Sequence, residues 1–124
     1  MNCSAAVRRI GEVAIVDLNG KFTISDAPGI IRGTVTTILD SGTRHILINV
    51  SQVTYLDSAA GIGELISSYT SSVHRGGQLK LLKPDKRIAY ILHLLHLDTV
   101  FEIYQDEDAA IRSFRDPGLH VGAA

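Results

Sequence analysis

Val53-Thr54-Tyr55-Leu56-Asp57-Ser58-Ala59-Ala60-Gly61-Ile62-Gly63-Glu64-Leu65 is the stretch on which the fold turns. It reads as the end of a buried strand, a tight turn carrying Asp57-Ser58, and the start of an amphipathic helix. Gly61 and Gly63 mark places where another surface comes close to the backbone, either a packed strand or a docking partner. A serine at this position lies beside the free N–H groups and the positive dipole end of a helix, which favour an anion. Ser58 is therefore a candidate switch residue, and its plain reading is a helix N-cap worth about 1 kcal/mol.

Upstream of this stretch, His45-Ile46-Leu47-Ile48-Asn49-Val50 is the strongest strand signal in the chain, apolar almost throughout and suited to mid-sheet. Downstream, Ile62, Leu65, Ile66, Tyr69 and Val73 fall on one helical stripe, with Ser67, Ser68, Ser71 and Ser72 expected on a solvated side. Gly76-Gly77 stops that helix, and Leu79–Leu82 is the next strand. Pro84-Asp85 opens a helix with Ile88, Ile91, Leu92 and Leu95 on its inner face, ended by Asp98-Thr99 before a strand over Val100–Tyr104. Asp106 caps a last helix, which turns Ala110, Ile111 and Phe114 inward.

Towards the N-terminus, Val7–Ile10 and Val13–Leu18 are strands joined at Gly11-Glu12, the second closed by Asn19-Gly20. Asp26 is placed to cap a helix with Pro28 in its first turn, or to meet a partner, and that helix runs to Asp40 before Ser41-Gly42. Strand and helix alternate after an opening hairpin. This predicts an α/β domain with a mixed, partly parallel sheet of four to five strands and about four helices over residues 1–116, followed by a flexible tail at 117–124.

The 124 residues, 45% hydrophobic with mean hydropathy +0.17, suffice for one domain with a core. No long apolar run or leader pattern is present, so a cytoplasmic location and no membrane association are expected. Twelve basic against thirteen acidic residues, with no tryptophan, give no field or stacking platform for nucleic acid. The single Cys3, expected in a frayed end, is given no role. His93 and His96 have an i, i+3 spacing, but no third ligand has recognisable spacing, so neither metal nor cofactor is expected. A hydrolytic enzyme is disfavoured, because no Gly-x-Ser-x-Gly elbow is present and no histidine is placed by pattern to activate Ser58.

Ile48-Asn49-Val50, the segments from Val53 to Ser58 and from Gly61 to Leu65, Gly76–Leu81 and Thr99-Val100-Phe101 together resemble the STAS domains of bacterial anti-sigma-factor antagonists, over roughly residues 7–114. The resemblance implies a partner switch in transcription regulation and the stress response. The unphosphorylated antagonist binds an anti-sigma factor that is also a serine kinase. That kinase phosphorylates the antagonist, and a phosphatase resets it.

By position the phosphoacceptor is Ser58. The candidate partner-binding residues are Asp26, Asp57, Ala59, Gly61, Gly63 and Glu64; of these Asp57, Gly61 and Gly63 match the family pattern around Ser58, whereas the loop of Asp26 departs from it. The family pattern has one small residue between Asp-Ser and Gly, whereas here both Ala59 and Ala60 intervene. The extra residue is either absorbed in the turn or rotates Ser58 by about 100° on the helix. It also leaves a second expectation open, a non-phosphorylated STAS scaffold, stressosome-like or part of a lipid-transport complex.

Overall fold

The computed structural model describes residues 3–115. In chain order these form β1 (Cys3–Ile10), β2 (Val13–Phe22), α1 (Ile30–Asp40), β3 (His45–Leu56), a π turn (Ser58–Gly63), α2 (Glu64–His74), β4 (Gln78–Leu82), α3 (Lys86–Leu94), a 3-10 turn (Leu97–Thr99), β5 (Ile103–Tyr104) and α4 (Glu107–Arg115). The sheet order is β1-β2-β3-β4-β5. β1 and β2 run antiparallel, and every other neighbouring pair is parallel. The expected α/β class and mixed sheet are what the chain forms.

Strand alternation distributes the core over both faces of this sheet. Ala14, Val16, Ile46, Ile48, Leu79 and Leu81 point to the face covered by α1, α2 and α3. Val13, Ile15, Leu47 and Leu82 point to the face where α4 brings Ala110, Ile111 and Phe114. Asp106 caps α4 as expected, accepting from Ala109 N–H at 2.8 Å, and Asp85 caps α3 by accepting from Ile88 N–H at 2.9 Å.

Several boundaries and faces differ from the sequence reading. β2 does not stop at Asn19-Gly20: Gly20, at φ 97°, sits in a bulged stretch, and the strand runs on until Phe22 pairs with Leu56. Cys3 is not frayed; it is buried in β1. α1 begins at Ile30, so Asp26 does not cap it. Asp26 instead lies exposed in a turn where its own N–H donates to Thr23 O. The last strand is only Ile103-Tyr104, and Leu95 is exposed beyond the end of α3.

On α2 the buried face is rotated towards the serines. Ser68 and Ser72 are 1% and 0% exposed, while Ile66 and Val73 are 40% and 48% exposed. The small serines let α1 and α2 pack closely, and Ser72 Oγ satisfies itself by donating to Ser68 O at 2.8 Å. The expected end at Asp116-Pro117-Gly118 and the tail at 117–124 lie outside the described residues.

Candidate functional site

The site stands at the carboxyl end of β3, where parallel strands open onto their crossover loops. Asp57 leaves the sheet in extended conformation (φ −81°, ψ 178°), and its N–H donates to Phe22 O at 3.0 Å. Its carboxylate is a hub. Oδ1 accepts from the N–H groups of Ala59 at 3.1 Å, Ala60 at 2.6 Å and Gly61 at 3.0 Å. Oδ2 accepts from Ile24 N–H at 2.6 Å, which ties the loop after β2 to the turn after β3. Desolvation pushes this carboxyl up, but the N–H donors of Ile24, Ala60, Gly61 and Ala59 outweigh it and hold the group below the usual carboxylate range.

Asp57, not Ser58, is therefore the N-cap. This corrects the expectation that the first-turn N–H groups stay free to receive an anion on Ser58, since Asp57 already occupies three of them. Ser58 is exposed, and among the described residues its Oγ has no hydrogen-bond partner. A phosphate there would sit beside an ionised Asp57 and face solvent, so its charge would be presented outward and not absorbed by the fold.

The two alanines are accommodated by a π turn. Ile62 N–H donates to Asp57 O at 2.8 Å, five residues back, so the first turn holds one residue more than an α-helical turn. Of the two outcomes expected for the extra residue, absorption in the turn is the one that occurs. Ala59 is exposed beside Ser58, whereas Ala60 is buried.

Both glycines serve close approach within the chain. A Cβ on Gly61 would stand 2.7 Å from Leu56 Cβ and 2.8 Å from Leu56 Cα, and one on Gly63 would stand 2.8 Å from Ser58 O. Glu64 also turns inward. It is 4% exposed and accepts from Gly29 N–H at 2.7 Å and Arg32 N–H at 3.0 Å, so it supplies the capping that α1 lacks from Asp26. Its placement corrects the expectation of a surface contact, because a carboxylate at a helix N-terminus is satisfied there and shielded.

The residues that do reach the surface together are Ser58, Ala59 and the edge of Asp57, beside the loop bearing Asp26. Two neighbours escaped the sequence reading: Ile24, 60% exposed, and Tyr55, 47% exposed. Tyr55 was legible in principle, since it alternates with the buried Leu56 and falls in register with exposed Lys21. Ile24 carried no periodic signal. Away from this end, His93 pairs with Asp98, Nδ1 to Oδ2, at 2.8 Å. Among the described residues no helix is long and apolar enough to cross a membrane.

Residues 4–110 match the model of the STAS domain. Among solved structures, TM1081 from Thermotoga maritima is 23% identical, with a TM-score of 0.82 over 90% of this chain and 94% of that one. An anti-sigma factor antagonist from Mycobacterium paratuberculosis is 22% identical, with a TM-score of 0.80 over 92% and 95%. The phosphorylated form of the Bacillus cell fate determinant SpoIIAA is 19% identical, with a TM-score of 0.68 over 88% and 97%. At these identities the likenesses establish the fold. A comparison with the curated proteins finds no match. The match over most of the chain, on a sheet and helix order of this kind, places the protein in the STAS domain family.

Proposed function

We propose that this chain is an anti-sigma-factor antagonist that binds an anti-sigma serine kinase and is switched by phosphorylation of Ser58. The observation that carries this reading is the exposed Ser58 hydroxyl, standing in a turn fixed by Asp57, whose carboxylate also holds the N–H of the exposed Ile24. The exposed apolar Ile24 and the neutral serine suit a docked protein surface. The kinase transfers the γ-phosphoryl of ATP to Ser58 Oγ, the hydroxyl proton is lost and ADP departs. The new charge then lies in the interface beside Asp57 and repels the partner, while the core beneath is untouched. A phosphatase acting on the same exposed group resets the switch. Asp26 and Ala59 border the docking surface, and Gly61, Gly63 and Glu64 shape it from below.

The test is intact-mass measurement with site mapping on the protein from its own cells under phosphatase inhibition, beside a Ser58→Ala variant. A phosphate on Ser58 that vanishes in the variant is the expected result. Ser58→Asp should also lose binding to the kinase. An unmodified Ser58 in growth and stress alike, with Ser58→Asp binding as well as wild type, would replace this reading with the scaffold one.

A further inference from the structure

The other end of the sheet is an edge strand with nothing across from it among the described residues. β1 is eight residues long, and its register with β2 is unbroken from Cys3 to Ile10, so no bulge twists this edge away. The hairpin turns over the two residues Gly11-Glu12, which makes Ile10–Val13 the closing hydrogen-bonded pair. By alternation, Cys3, Ala5, Val7 and Arg9 direct their N–H and C=O groups outward. The same four residues turn their side chains to the α1 face. There Ala5, Val7 and Arg9 line an apolar groove of about 360 Å³ against Thr34, Thr37 and Ile38. Val7 is 44% exposed in it.

Arg9, with exposed Glu12, stands at one end of this edge, and the loop bearing exposed Asp26, with exposed Lys21, stands at the other. Among the described residues Arg9 donates to two hydroxyls, Thr43 Oγ1 at 2.6 Å and Ser41 Oγ at 3.4 Å, and to no carboxylate. At the other end, Cys3 Sγ lies 3.9 Å from the carbonyl oxygen of Asp26, whose residue is exposed. An antiparallel strand paired with its own copy about a two-fold axis brings opposite ends together.

We propose that β1 pairs with β1 of a second copy of this chain, antiparallel about an axis through Ala6, to make one continuous sheet. Centring on Ala6 uses all four outward residues: Cys3 faces Arg9 of the other copy and Ala5 faces its Val7. Ser4 faces Arg8, and no two arginines are opposed. Each Arg9 then reaches the Asp26 loop of the other copy, giving two symmetric ion pairs. The two apolar grooves merge along the seam, with Thr34 and Thr37 small enough to admit the neighbour. This pairing does not depend on Ser58 being a phosphoacceptor.

Sedimentation equilibrium on the full 13.4 kDa chain tests it. Wild type is expected at twice the chain mass. Arg9→Glu and Asp26→Lys are each expected at the single mass, and the double variant, which swaps the charges, back at twice. Val7→Pro places the ring on an outward N–H and leaves the β1–β2 ladder intact, so it should give a folded monomer with unchanged circular dichroism. A wild type at single mass at every concentration, or a dimer that persists in Val7→Pro or in both single charge variants, overturns the proposal. So does a double variant that stays monomeric.

Discussion

Glu64 at the start of α2 holds the N–H of Gly29 at the start of α1, a 2.7 Å bond from a carboxylate that is almost wholly buried. The second oxygen holds Arg32 N–H, so one side chain caps a helix that has no cap of its own. The helix behind Ser58 is thereby locked to the helix behind the Asp26 loop, and the two halves of the candidate docking surface share one anchor.

Removing that anchor should show in stability before it shows in anything else. Glu64→Ala leaves two N–H groups at the start of α1 without their acceptor and is expected to cost about 1–2 kcal/mol. Glu64→Gln keeps one good acceptor oxygen and should lose about half as much. Urea unfolding at constant m-value reads both. A Glu64→Ala midpoint equal to wild type would contradict the capping role.

Gly61 separates the fold's needs from a partner's. Because a Cβ there meets Leu56 backbone and side chain below 3 Å, Gly61→Ala is expected to destabilise the free domain by about 2–3 kcal/mol. Thermal unfolding of the isolated protein should register it as a clear fall in Tm. A normal Tm with weakened partner binding would instead assign the glycine to the docking surface.

On the α4 face, Arg8 bridges Asp17, with Nε to Oδ2 at 2.7 Å, and Glu107, with Nη1 to Oε2 at 3.0 Å; Asn49 Nδ2 adds a bond to Asp17 at 2.7 Å. The Arg8 guanidinium holds both carboxyls below their usual range, against desolvation. Folded-state carboxyl pKa values that are depressed contribute stability fully above the ordinary carboxylate range, and that contribution disappears as pH falls through the lowered values. Arg8→Ala should therefore flatten the acid limb of stability against pH. At neutral pH the loss should be small, about 0–1 kcal/mol per pair and less in high salt, since the groups are substantially exposed.

Lys80 also makes stability rise with pH, but through burial of its charged form and not through an ion pair. Its Nζ is buried under α4, 4.5 Å from the Phe114 ring centroid, donating to Ser113 Oγ at 2.8 Å with Glu102 Oε1 at 3.4 Å. Burial pulls its pKa down, and Glu102 restores part of the shift. Between the lowered folded value and the unfolded one the unfolded chain binds more protons, so stability should rise with pH through that window. Lys80→Met should remove this rise and be neutral or stabilising at pH 7, because an apolar chain of similar length fills the site without the desolvation cost. Chemical unfolding across pH 7 to 10 compares the two. A Met variant that still gains stability with pH would assign the slope to another group.

The alternation of elements, the strand His45–Val50, the Asp57-Ser58 turn, the Gly76-Gly77 stop and the Asp106 cap were all legible in the sequence, because each rests on contacts a few residues apart. Period, cap and turn chemistry are local properties, and together they determined the α/β class and put Ser58 at the head of a helix. What the sequence left open was settled by groups distant along the chain. The extra alanine became a π turn because the close fit of Gly61 against Leu56 and of Gly63 against Ser58 O fixes where the helix must stand. Glu64 faced inward because α1, 32 to 35 residues earlier, presents bare N–H groups at that point. The serine side of α2 was buried because a neighbouring helix needs small residues to approach, a demand no helical period encodes. Local propensity fixed which elements form, and only packing between remote segments decided which faces they bury and which of their polar groups remain for a partner.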